Sequence, residues 1–125
     1  MSVWTPKFRQ GDTFAFEFIR KEADINGNEQ IIDITGYTYV LSMKEDFDDL
    51  SHVLYLEKTA GDHPADDPVN GKIVFVVSDG LTELIDAGKY VWDIEETTPG
   101  GAVTTVLPEK ENYKEKAVVY PEVTK

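Results

Sequence analysis

Phe14-Ala15-Phe16-Glu17-Phe18 places an aromatic ring at every second residue, and Tyr90-Val91-Trp92-Asp93-Ile94 repeats the alternation far along the chain. Successive side chains of a strand point to opposite faces, so a period of two built from aromatic and branched residues marks strands with one buried face. A helix would scatter the same rings around its axis. The chain is therefore committed to sheet structure wherever this pattern runs.

Turn chemistry divides the remainder into short extended pieces. Residues 3–9 form a first segment ending in the turn Gln10-Gly11-Asp12. Residues 13–20 follow as a strand, with Phe14, Phe16 and Phe18 toward the core and Ala15, Glu17 and Ile19 facing out. Asn26-Gly27-Asn28 is a turn, because Asn and Gly tolerate positive φ, and Thr35-Gly36 is another break. Residues 37–44 alternate again, with Tyr37, Tyr39, Leu41 and Met43 on one face. Strands are also predicted over residues 53–57, 89–96, 102–107 and 113–120, the reversal at Thr98-Pro99-Gly100-Gly101 being tight. Residues 73–77 are almost wholly apolar, as a strand buried on both faces would be. Residues 78–85 form one helical turn, with Ser78 or Asp79 available as its cap. Between Gly61 and Pro68 two prolines remove backbone donors, which predicts the longest and most mobile loop. The segments sum to an all-β, antiparallel sandwich of about seven or eight strands with one short helical turn.

The chain has 125 residues, the usual size of one domain, and residues 1–125 are read as a single unit with core enough to need no staple. It contains no cysteine, which excludes disulfides, thiolate metal sites and a cysteine nucleophile. The first residues lack a signal-peptide core, and no apolar run is long enough to span a bilayer, so synthesis in a cytoplasm is expected. With 24 acidic and 12 basic residues the net charge is −12. Phosphate backbones and anionic membranes demand clustered cations, so neither nucleic acid nor membrane is an expected partner.

Reaction chemistry is sparse. His52 and His63 are the only imidazoles, and both are read as non-catalytic. Asp24-Ile25-Asn26-Gly27-Asn28-Glu29 opens like a calcium loop, but its glycine falls early and Thr35 stands where a bidentate glutamate belongs. Calcium at this loop, or at Asp46/Asp48/Asp49 and Asp62/Asp66/Asp67, stays an open alternative. No phosphate-cradling glycine motif occurs. No cofactor, catalytic residue or metal ligand is assigned. Trp4, near an open terminus beside Pro6, is the leading contact residue, and Arg9, Phe47 and His63 complete the candidate contact set.

The order of segments also carries a resemblance. Arg9-Gln-Gly-Asp-Thr-Phe-Ala-Phe-Glu-Phe18 is similar to the opening strand of small Ig-like phage virion proteins. Asp33-Ile-Thr-Gly-Tyr-Thr-Tyr-Val40, Gly71-Lys-Ile-Val-Phe75 and Asp86-Ala-Gly-Lys-Tyr-Val-Trp-Asp-Ile94 resemble their later strands, and Val118-Val-Tyr-Pro-Glu-Val-Thr124 their final strand and tail. The family in question is the Ig-like N-terminal domain of phage baseplate upper proteins and related tail or head accessory proteins. The resemblance implies an Ig-like β-sandwich and a non-enzymatic virion structural protein. It would be made in the host cytoplasm, often oligomeric, and packed against other virion proteins. Larger baseplate proteins carry a long further region that this sequence lacks, which leaves tail, baseplate, neck and capsid surface as open positions. Two other classes compete: a carbohydrate-binding β-sandwich module stacking sugars on Trp4 and exposed tyrosines, and, ranked last, a small hydrolase using scattered carboxylates.

Overall fold

The computed structural model describes residues 6–46, 48, 51–108 and 116–121. Among them the strands are β1 (Lys7–Arg9), β2 (Phe14–Ile19), β3 (Lys21–Ala23), β4 (Glu29–Ile31), β5 (Thr38–Lys44), β6 (Leu54–Thr59), β7 (Lys72–Val77), β8 (Gly88–Thr97), β9 (Val103–Leu107) and β10 (Ala117–Tyr120). Besides a 3-10 turn at Pro68–Asn70, one α-helical turn, α1 (Asp79–Thr82), is capped by Ser78, whose side chain accepts from the Leu81 N–H. The protein is all-β.

β8 organises the larger sheet, whose order is β1-β10-β8-β5-β6. One edge of β8 pairs with β5 along its length, while β10 and β9 share the other edge, with a register shift between Ile94 and Glu95. The two alternating patterns of the sequence lie side by side here: Met43 opposes Trp92 and Leu41 opposes Ile94, all four buried. Such cross-strand pairs are the unit of sheet stabilisation. β2 and β7 form a separate antiparallel ribbon that contributes Ile73, Phe75 and Val77 to the same core cluster, with Phe14 and Phe18 packed against it. Phe18 meets Tyr39 of the larger sheet edge-on at 5.9 Å, and Phe8 lies 5.0 Å from Phe14.

One row across the inner face is polar. Lys58 opposes Tyr39, and Tyr39 opposes Glu96. The Tyr39 hydroxyl donates to the Glu96 carboxylate at 2.7 Å, and Arg20 Nε donates to the same oxygen at 2.8 Å. At the other end of the row Lys58 Nζ donates to both oxygens of Asp66, whose side chain is wholly buried. The strands of the larger sheet thus carry the row, and residues outside it supply the countercharges.

Several expectations change. The larger sheet is mixed rather than purely antiparallel, because β1 runs parallel to β10. Strands far apart in sequence need no hairpin between them, so either direction is open to them. β7 is not buried on both faces: Val74 is covered while Val76 is exposed. β3 and β4 form an exposed hairpin around the anticipated Asn26-Gly27-Asn28 turn, which Asp24 closes by accepting from the Asn26 and Asn28 N–H groups. The segment between Gly61 and Pro68 is densely bonded: Asp66 accepts from the N–H groups of Gly61, His63 and Val74 as well as from Lys58.

Candidate functional site

The residues that alternate with the core positions of β5 and β8 face outward, and there the larger sheet is hollowed. Register sets Tyr55, Ser42 and Asp93 in one row and Glu57, Val40 and Glu95 in the next. A concavity of about 220 Å³ is lined by Ser42, Lys44, His52, Tyr55, Asp93 and Glu95. A smaller depression of about 60 Å³ adjoins it over Val91 and Trp92.

Tyr55 is 56% exposed, and its ring is braced edge-on by His52 with centroids 5.2 Å apart. Asp93 is half-buried. Burial pushes its carboxyl above the ordinary value, Glu95 adds to that, and Lys44 and His52 oppose it. Among the described residues the side chains of Ser42, Lys44 and Asp93 make no hydrogen bond to the protein. Half-buried polar groups usually find a partner, so these three present unused donors and acceptors. Ser42, His52 and Asp93 are the residue types of a nucleophilic triad, yet no hydrogen bond joins Ser42 to His52 among the described residues. Activation of a serine depends on that contact. The arrangement is one that can hold a ligand.

The candidate contact residues are not brought together here. Trp4 and Phe47 lie outside the described residues. Arg9 is exposed on β1, opposite Tyr120 of β10. His63 is half-buried in the Asp66 segment, where its Nδ1 accepts from the Ala65 N–H at 3.0 Å. Of the carboxylates raised as calcium ligands, Asp24 and Asp66 close turns as above and Asp62 accepts from the Thr59 N–H, while Asp49 lies outside the described residues. Among the described residues no group of three or more His, Asp or Glu side chains is placed to share an ion. Ser42, Lys44, Tyr55, Asp93 and Glu95 were not singled out by sequence reasoning. Their signal is the off-core half of each alternation, but which strands lie adjacent, and in what register, is not written in either segment alone.

An all-β protein with a shallow polar hollow on the outer face of its larger sheet is thus defined. No family model, curated protein or solved structure matches the chain.

Proposed function

We propose that the chain is a non-enzymatic structural protein of a bacteriophage virion, an Ig-like β-sandwich acting through protein–protein contacts. The observation that carries this reading is the β2–β7 ribbon. Among the described residues β2 has no second strand partner and presents an open edge, whereas the outer edge of β7 is engaged by Asp67 at Lys72 and by Asp66 and Lys58 at Val74. On its outer face Ala15 opposes Val76, and Ile19 is 48% exposed. An open edge beside apolar side chains is a template for pairing with another chain, and proteins not built for assembly commonly blunt such edges. The order of sequence segments supports the same family. Homo-oligomers close most often by symmetry, and such a closed assembly, itself packed against other virion proteins, is the state proposed. The net charge of −12 supports protein partners over nucleic acid or anionic membrane.

Mass spectrometry of particles purified from cells that encode the protein is the direct test, and a stoichiometric amount in intact particles is expected. Absence from particles that contain the other virion proteins would end the proposal. Light scattering should also show an oligomer that Ile19→Glu together with Val76→Glu returns to monomer.

A further inference from the structure

We propose that the hollow on the outer face of the larger sheet binds a neutral pyranose sugar, one ring at a time. This goes beyond an assembly role and uses a different face from the β2–β7 ribbon. Four observations converge on that ligand class. The volume of about 220 Å³ falls below the range of roughly 300–1,000 Å³ typical of drug-sized ligands, so it suits a single small ring. Tyr55 supplies an exposed aromatic surface with His52 packed edge-on against it, and the apolar face of a sugar ring can pack on such a surface.

The third observation is the mixture of charges. Asp93 and Glu95 accept hydrogen bonds, Lys44 donates them, and the Ser42 hydroxyl does both. A net cation would meet Lys44, and a net anion would meet the two carboxylates. A neutral ring bearing hydroxyls on several sides uses donors and acceptors alike. Finally, Asp93, Ser42 and Lys44 have no hydrogen-bond partner in the protein among the described residues, so a ligand displaces only water to reach them. Burial and the Glu95 charge disfavour ionised Asp93, and hydroxyl donors to its carboxylate would relieve that. An open, shallow site with one stacking ring is a weak binder, with affinity on the order of millimolar.

The test is two-dimensional amide NMR on the full chain titrated with D-glucose, D-galactose, D-mannose and N-acetyl-D-glucosamine, with L-arginine and inorganic phosphate as charged probes. At least one sugar should shift amides within residues 40–44 and 91–95 and at Tyr55, and leave β2 and β7 unmoved. Tyr55→Ala should weaken binding about tenfold or more, whereas Tyr55→Phe, which keeps the ring, should bind as before. Asp93→Asn keeps the shape, and it too should weaken binding. The proposal is overturned if none of the four sugars shifts those amides, if Tyr55→Ala binds unchanged, or if arginine or phosphate binds there more tightly than every sugar. Any of these results leaves the assembly reading untouched, since that rests on the opposite layer.

Discussion

Asp66 and Glu96 are carboxylates placed where apolar side chains would ordinarily stand, and each is tolerated because its partners are complete. Glu96 is 4% exposed and accepts from both Tyr39 and Arg20. Burial opposes the charge on Arg20, but Glu96 outweighs it and raises the guanidinium above its ordinary value. Burial first, and then the bond to Glu96, push the Tyr39 hydroxyl up as well, so it remains a donor at any working pH. Removing one member of a buried pair costs more than the pair contributes, because the survivor is left without its countercharge. Asp66→Ala should therefore lower stability by about 3 kcal/mol in urea unfolding, stranding Lys58 against the Phe75 ring, 6.0 Å away. Glu57→Ala, on the exposed face of the same strand, should stay within about 0.5 kcal/mol. Tyr39→Phe deletes one bond to Glu96 and leaves Arg20 in place, so a loss of about 1 kcal/mol is expected. Equal effects from Asp66→Ala and Glu57→Ala would show that the buried pair holds nothing together.

Elements were legible in the sequence in proportion to how strongly they alternate. β5 and β8 each bury one face, and the period of two located both to within a residue or so. β3 and β4 bury neither face, so no pattern marked them, although Asn26-Gly27-Asn28 gave away their turn. Glu96 occupies the inward phase of β8 with Trp92 and Ile94, where a charge is costly without partners. Only the arrival of Arg20 from outside the strand explains it. The hollow was hidden for a related reason: its residues come from three strands whose neighbours are fixed by topology. Glycines show the same dependence on context. Gly27 and Gly71 both adopt positive φ, +83° and +72°, which disfavours any residue with a Cβ. A Cβ on Gly27 meets nothing within 4 Å, whereas one on Gly71 falls 2.8 Å from the Ile32 carbonyl oxygen and 2.9 Å from that of Arg20. Gly27→Ala should cost about 1 kcal/mol from backbone strain alone. Gly71→Ala should cost clearly more, because it forces β2, β4 and β7 apart where they converge. Matching unfolding midpoints for the two variants would show that the convergence is loose.

At the scale of the whole molecule, a charge of −12 opposes the compact state, and two carboxylates, the half-buried Asp93 and the buried Asp66, bend the pH response in opposite directions. Burial and Glu95 raise the Asp93 carboxyl, with Lys44 and His52 pulling the other way. The native state then binds that proton more tightly than the unfolded chain does. Its contribution is full below the ordinary carboxylate value of 3.8 and is lost as pH rises through the raised one. Asp66 has the reverse sign. Burial pushes its carboxyl up, but hydrogen bonds from Lys58 and from the N–H groups of His63, Val74 and Gly61 outweigh that and hold it down. Stability from Asp66 is full above 3.8 and disappears as pH falls through the lowered value. Mild acidification also neutralises part of the surface charge, which acts in the same sense as Asp93. The urea midpoint should therefore rise as pH falls through the raised Asp93 value and drop again as pH falls through the lowered Asp66 value. Added salt at neutral pH should raise the midpoint too, since it screens the same repulsion. Asp93→Asn should flatten the first limb and leave the second, while Asp66→Asn should do the opposite. A midpoint that declines steadily from pH 8 downward, unchanged in shape by Asp93→Asn, would mean that the outer hollow is fully solvated and that its carboxylate carries no penalty for a ligand to relieve.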